Sequence, residues 1–239
     1  MVNWDEKLLK SLPSWLISLR VNNFAQNITF KVFDGEEFLG SGTLMYRQDN
    51  RYFVLTNKHV LRSGKYPYQV KAPDGKFHDV LALDINTFPQ DDLVLLSFQS
   101  DRFEYKTPKF ADYSRLRIDE AVFAVGFPLD PLKKETNQPN SPSLTVTKGK
   151  VTTILNKPLL EGYQIAYSNE VRKGMSGGPL LNKTGKVVGV NGKQAYPLWD
   201  VPELYQNKSP VDRSLQNLIN RSSLAIPITK ALNFATPKD

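Results

Sequence analysis

Short runs of β-branched and aromatic residues, broken every few positions by turn formers, occupy the chain from Gln26 onward. Residues 27–33 lead into Asp34-Gly35, then come 40–46 and 52–56, and the rhythm returns at 68–72, Pro73-Asp74-Gly75, 76–83 and 93–98. Asp-Gly between such runs is a hairpin signal, because glycine takes the positive φ that a tight turn requires. About six strands fit before residue 110 on this pattern. The second half repeats the first in kind: apolar strands are expected at 121–126, 144–154, 163–167, 179–181 and 186–190.

Residues 99–120 are polar and read as a connection, and the stretch from Pro128 to Ser143 carries four prolines. A loop that long in a compact fold is usually functional or mobile, which makes it a candidate lid. The tail changes character: a helix is expected over 211–220, a strand over 224–228, and a terminal helical turn over 229–235 with Thr229 as its cap. At the amino terminus Leu8, Leu9, Leu12, Trp15, Leu16 and Leu19 recur at helical spacing, interrupted by Pro13, so short amphipathic turns should pack on the body. The pattern therefore predicts an all-β fold of two six-stranded antiparallel barrels with a short helix at each end. Its parts are a helical extension over 1–25, a first barrel over 26–110 and a second over 111–239.

Composition excludes several chemistries. Cysteine is absent, which removes disulfides, thiolate metal sites and thiol nucleophiles. His59 and His78 are the two histidines and no His-Glu-x-x-His occurs, so no metal site is expected. Neither a Gly-x-x-x-x-Gly-Lys-Ser/Thr loop nor a Gly-x-Gly-x-x-Gly fingerprint is present, and no nucleotide or other cofactor is implied. The net charge of +7 would suit a nucleic acid, but the basic residues are scattered among acids and read as solvated surface. No run approaches the roughly 18 apolar residues that a membrane span needs. Without a signal-like segment or cysteine, a cytoplasmic location is expected, with neither nucleic acid nor membrane as partner.

Gly174-Met-Ser-Gly-Gly-Pro is the sharpest local feature. Glycines on both sides let the backbone turn tightly and leave a small hydroxyl beside unobstructed amides, although the same residues also suit a plain turn. A serine hydroxyl needs an adjacent base, and that base needs an orienting group. His59 follows the apolar strand at 52–55, where a strand end can present an imidazole in a cleft, whereas His78 lies in a strand and is expected to face solvent. Asp92 abuts the apolar run Leu93-Val-Leu-Leu, so its carboxylate can be held in a dry site; Asp91 is the alternative. Gly-x-Ser-x-Gly also marks the nucleophile elbow of α/β-hydrolases, but that fold needs a histidine after the serine and none follows Ser176. The order His59, Asp92, Ser176 is that of the chymotrypsin architecture.

With these residues in place, Gly40-Ser-Gly-Thr-Leu, Leu55-Thr-Asn-Lys-His59-Val, Asp92-Leu-Val-Leu-Leu and Gly174-Met-Ser-Gly-Gly-Pro-Leu-Leu-Asn resemble the trypsin-like serine proteases. The bacterial HtrA-like branch is the most similar, with Val125-Gly-Phe-Pro128, Gly185-Lys-Val-Val-Gly-Val190 and Leu224-Ala-Ile-Pro-Ile228 in the order found there. The resemblance covers residues 26–232. It implies a chymotrypsin-like fold and serine endopeptidase activity on protein or peptide substrates. Ser176 would be the nucleophile, His59 the base, Asp92 the orienting acid, and the N–H groups of Gly174 and Ser176 the oxyanion hole. It further suggests Glu170, six positions before Ser176, as a pocket carboxylate favouring Lys or Arg, and Val190, Asn191 and Gly192 as the edge that pairs with substrate backbone. Met175 stands where zymogen-activated relatives keep an acidic residue, so that switch is not expected. HtrA-like proteins usually carry a PDZ domain, for which residues 233–239 leave no room: either the chain ends here or it is the protease module of a longer protein, restrained by substrate access, a disordered activation loop, or a regulatory domain or partner. The alternative reading is a catalytically silent, protease-like binding or scaffold module.

Overall fold

The computed structural model of the protein describes residues 14–35, 37–82, 85–129, 142–197 and 203–233. Leu8, Leu9 and Leu12 and most of the candidate lid, residues 130–141, lie outside the described residues. The helical periodicity near the amino terminus is realised as α1 (Ser14–Ile28). It begins directly after Pro13 and runs past the expected boundary at residue 25. Val21, Ala25 and Ile28, spaced three or four apart, are fully buried in the core, so one face of the helix docks on the body. The Thr29 hydroxyl donates to the Ala25 carbonyl at 2.7 Å, and the first strand starts there rather than at Asn27.

β1 (Thr29–Asp34), β2 (Glu37–Gln48), β3 (Arg51–Thr56), β4 (Tyr68–Lys71), β5 (Phe77–Asp79), β6 (Leu81–Ala82) and β7 (Val94–Gln99) form one antiparallel sheet in the order β5-β4-β1-β2-β3-β7-β6. The sequence pattern predicts one strand over 76–83. The structure divides it: β5 pairs with β4, and β6 with β7. Between them Val80 is buried, and its N–H reaches the Tyr68 carbonyl at 3.1 Å. This seven-stranded half-barrel curls until its edge meets β7 through side chains. The His78 ring lies 4.6 Å from that of Phe98, and its Nε2 lies 3.1 Å from the Tyr105 hydroxyl. His78 is thus half-buried against aromatic rings, not solvated as the sequence suggests, because the curl folds its strand back over the sheet.

β8 (Ala121–Gly126), β9 (Thr145–Ile154), β10 (Ile165–Tyr167), β11 (Pro179–Asn182), β12 (Val187–Lys193) and β13 (Ser223–Pro227) close into a six-stranded barrel in the order β10-β13-β12-β11-β8-β9. α3 (Arg213–Asn220) precedes the last strand, and Asp212 caps it by accepting the Leu215 N–H at 3.0 Å. α4 (Thr229–Leu232) follows β13 with Ile228, not Thr229, at the capping position. The strand runs directly into this helical turn, which leaves no room for a side-chain cap. The polar connection is tied to the second barrel at two places: Ala111 N–H donates to the Val187 carbonyl and Val187 N–H to the Lys109 carbonyl, while Asp119 N–H donates to the Val151 carbonyl and Val151 N–H to the Glu120 carbonyl, all at 2.9 Å. One continuous apolar cluster crosses between the halves, joining Leu44, Leu55 and Leu93 to Phe123, Val125, Leu155 and Tyr163. Burying that shared surface holds the two β units face to face.

Candidate active site

β3 ends at Thr56, and Asn57, with extended backbone (φ −85°, ψ 148°), turns the chain into α2 (Lys58–Arg62). A helix this short leaves most of its first-turn N–H groups without intrahelical acceptors. Asp92 Oδ1 accepts one of them, the His59 N–H, at 2.9 Å, and Oδ2 lies 2.5 Å from His59 Nδ1. The carboxylate therefore caps the helix and orients its imidazole together. Asp92 is itself fixed through its main chain: its N–H donates to the Glu161 carbonyl at 2.9 Å, and its carbonyl accepts Asn57 Nδ2 at 2.8 Å. The Tyr163 hydroxyl donates to Oδ2 at 2.7 Å, and Arg62 lies 3.8 Å from Oδ1. Burial pushes the Asp92 carboxyl up, but the hydrogen bond and charge of His59, followed by the Tyr163 hydroxyl, hold it below the usual carboxylate value. Asp91 turns the other way, towards Lys230 and Gln206. Asp92 is buried while the His59 side chain remains 41% exposed, so the imidazole is open to solvent and the carboxylate beside it is dry.

The serine turn belongs to the second barrel but is built against the first. Gly174 (φ 94°) and Gly177 (φ 85°) adopt left-handed backbone that other residues avoid. A Cβ on Gly177 would lie 2.0 Å from the Ser41 carbonyl oxygen. Ser41 on β2 donates its N–H to the Ser176 carbonyl at 2.9 Å and its hydroxyl to the Gly174 carbonyl at 2.7 Å, and it accepts the Phe127 N–H at 2.9 Å. Thr43 Oγ1 adds a bond to the Gly177 carbonyl at 2.8 Å. The Gly40 Cβ position lies 2.9 Å from Val60 Cγ1 and 3.3 Å from the Ser176 carbonyl oxygen, so α2 and the serine turn approach β2 at one residue. Ser176 Oγ donates to the Gly192 carbonyl at 3.2 Å and makes no hydrogen bond to His59. Among the described residues, the N–H groups of Gly174 and Ser176 donate to no protein acceptor, which leaves them available to a developing negative charge.

Comparison with known proteins agrees with this architecture. A model of the trypsin-like peptidase domain matches residues 40–190, which is more than half of the chain and spans His59, Asp92, Tyr163 and Ser176. The chain belongs to the trypsin-like peptidase family. Within it, the similarities are to the HtrA branch. The chain is 32% identical over 165 residues to the serine protease Do-like HtrA of Bacillus subtilis, covering 66% of this chain and 34% of that protein. It is 30% identical over 202 residues to the periplasmic pH-dependent serine endoprotease DegQ of Escherichia coli, covering 77% and 40%. Against the periplasmic serine endoprotease DegP of Escherichia coli it is 28% identical over 156 residues, covering 64% and 29%. The chain thus spans two fifths or less of the length of these relatives.

Several expected specificity residues of this trypsin-like domain fall elsewhere. The Glu170 side chain is 74% exposed and pairs with Arg172 at 3.5 Å, so it is no buried pocket carboxylate; the turn carrying it faces water. Val190 pairs with Pro179 on one side and Ile226 on the other. Asn191 exchanges backbone bonds with Gly177 and Gly178, and its amide braces the Val125 and Pro179 carbonyls. Being interior, these two residues have no free backbone for a substrate strand, and only Gly192 of the expected edge reaches the site. Met175 is fully buried and its sulfur accepts the Arg172 N–H at 3.5 Å. Ser41 and Tyr163 were not singled out from sequence. Ser41 stands within the Gly40-Ser-Gly-Thr-Leu motif, which carries the resemblance without assigning it a role, and Tyr163 reads as an ordinary aromatic of a strand. Among the described residues no group of three or more metal-ligating side chains occurs.

Proposed function

We propose that this chain is a serine endopeptidase acting on protein or peptide substrates through Ser176, His59 and Asp92. The observation that carries the reading is the Asp92 carboxylate, buried and bonded to both the N–H and Nδ1 of His59, beside a serine turn with two unpaired N–H groups. An ionised carboxylate only accepts hydrogen bonds, so it holds the proton on Nδ1 and leaves Nε2 as the base. As Ser176 Oγ bonds to the scissile carbonyl carbon, its proton passes to Nε2, and the carbonyl oxygen takes up the charge facing the Gly174 and Ser176 N–H groups. Collapse breaks the C–N bond, and the imidazolium gives its proton to the leaving amine. Water, deprotonated by His59, then cleaves the acyl-enzyme and returns the serine.

In this resting arrangement the Ser176 hydroxyl sits on the Gly192 carbonyl. A nucleophile and base that align fully only with substrate present are common in unliganded enzymes. A fluorophosphonate probe tests the reading. The folded parent should label, Ser176→Ala should not label because it has no hydroxyl to phosphonylate, and His59→Ala should label far more slowly, since loss of the base costs on the order of 10⁶ in turnover elsewhere. A folded parent that does not label would instead support the binding-module alternative.

A further inference from the structure

We propose that Tyr163 is a positioning residue of this site, setting the charge and orientation of the Asp92 carboxylate from the second barrel. The inference rests on the triad reading above and extends it to a residue outside the triad. Asp92 and His59 both belong to the first half, on the approach to β7 and on α2, whereas Tyr163 lies just before β10. Its hydroxyl donates at 2.7 Å to Asp92 Oδ2, the oxygen that faces His59 Nδ1 at 2.5 Å. Two donors therefore share one carboxylate oxygen, while Oδ1 is occupied by the His59 N–H at 2.9 Å. Together they fix the carboxylate plane, and Tyr163 draws charge from the oxygen that polarises the imidazole.

The neighbourhood is built around this hydroxyl. Tyr163 is fully buried, and its segment also grips Asp92 through the main chain, from the Glu161 carbonyl to the Asp92 N–H. Gly192 leaves the space for it: a Cβ at that position would stand 2.4 Å from the Tyr163 hydroxyl and 2.5 Å from Cε1. Gly192 also carries the carbonyl on which Ser176 Oγ rests. One tyrosine thus touches the orienting acid on one side and the backbone beside the nucleophile on the other. The charged groups around the assembly are Arg62, 3.8 Å from Asp92 Oδ1, and Lys193, whose ammonium lies 5.4 Å from the Tyr163 ring centre and 3.2 Å from Glu161. No local sequence signal marks such a residue, because the contact joins positions 71 apart.

The test is Tyr163→Phe, which keeps the ring and removes the hydroxyl. Two readouts are taken: the low-field proton resonance of His59 Nδ1–H, and the rate of fluorophosphonate labelling. With two histidines in the chain, His78→Asn assigns the resonance. The proposal expects the resonance to move, because Oδ2 then serves His59 alone, and labelling to slow about tenfold, the scale of one hydrogen bond to a charged group. An unmoved resonance overturns the proposal whatever the labelling shows, and unchanged labelling in a variant of an active parent overturns it too. Should the parent not label at all, the triad reading fails, while the resonance still decides whether Tyr163 polarises the pair. If the phenylalanine variant does not fold, Gly192→Ala displaces the same hydroxyl sterically and is read by the same resonance.

Discussion

The two β units contribute to the site in opposite ways. In the first, Asp92 and His59 are neighbours across a single half-barrel, and the carboxylate is tied to the histidine by two hydrogen bonds before the second unit is considered. In the second, Ser176 sits on a glycine turn whose shape depends on bonds to the other half, chiefly from Ser41 and Thr43 of β2. The architecture differs to match. The second unit is a barrel closed by backbone pairing, and the first is a sheet in which β5 packs back on β7 through the His78 side chain. A closed barrel thus presents Ser176, and an open sheet presents the Asp92–His59 pair. Activity should then be most sensitive where the turn docks on the sheet.

The largest effect is expected at Gly177. Alanine there would combine left-handed backbone with an overlap of 2.0 Å on the Ser41 carbonyl oxygen. A loss of about 3 kcal/mol or more is expected, seen as a fall of about 6 °C or more in Tm. A variant as stable as the parent would mean that the turn does not need its docked shape. Ser41→Ala comes next. It removes a donor to the Gly174 carbonyl and an acceptor for the Phe127 N–H, costing about 1–3 kcal/mol. Because the Gly174 peptide is one wall of the proposed oxyanion site, labelling should fall about tenfold in protein that is still fully folded. A thermal shift with unchanged labelling would place Ser41 in the framework alone.

Smaller still is the acid limb of stability set by Asp92. Its carboxyl is held below its ordinary value of about 3.8 in the fold, so the ionised form is favoured by folding. The resulting stability is present above pH 3.8 and is lost as pH falls through the lower folded value. Tm recorded between pH 5 and 2.5 should therefore drop more steeply for the parent than for Asp92→Asn. Parallel curves would show that the buried pair contributes nothing to acid stability.

Much of this was legible in the sequence because it is local. Apolar runs and Asp-Gly turns mark the strands, as at β8 and at the β4–β5 hairpin, and burial of Asp92 follows from the apolar run after it. What was not legible is long-range. Whether Glu170 lies in a pocket or in water depends on loop packing that no nearby residue encodes, and the structure leaves it exposed beside Arg172. Asn191 reads like an edge residue until β12 is seen between β11 and β13. The division of 76–83 into two strands with different partners depends on curl, which hydrophobic alternation does not record. Ser41 and Tyr163 act across separations of 133 and 71 residues, and a hydroxyl in a strand carries no mark of its distant acceptor.

The same curl gives the contrast between the units a final test, at His78. Its pKa lies below 6.5, because burial outweighs the nearby charge of Asp74. Folding thus favours the neutral ring, packed on Phe98 and bonded to Tyr105. The associated stability is present above pH 6.5 and declines as pH falls from 6.5 through the lower folded value. Protonation would place a charge at the one seam that side chains close, so β5 should open there before any strand of the closed barrel does. Amide exchange at pH 7.5 and pH 5.5, corrected for intrinsic rates, should show β5 and β4 losing protection while β8, β11 and β12 keep theirs. His78→Phe, which retains the ring contact without the titration, should remove the difference. If β5 stays as protected at pH 5.5 as at 7.5, the seam is not the weak point, and the two units are equally closed in spite of their different construction.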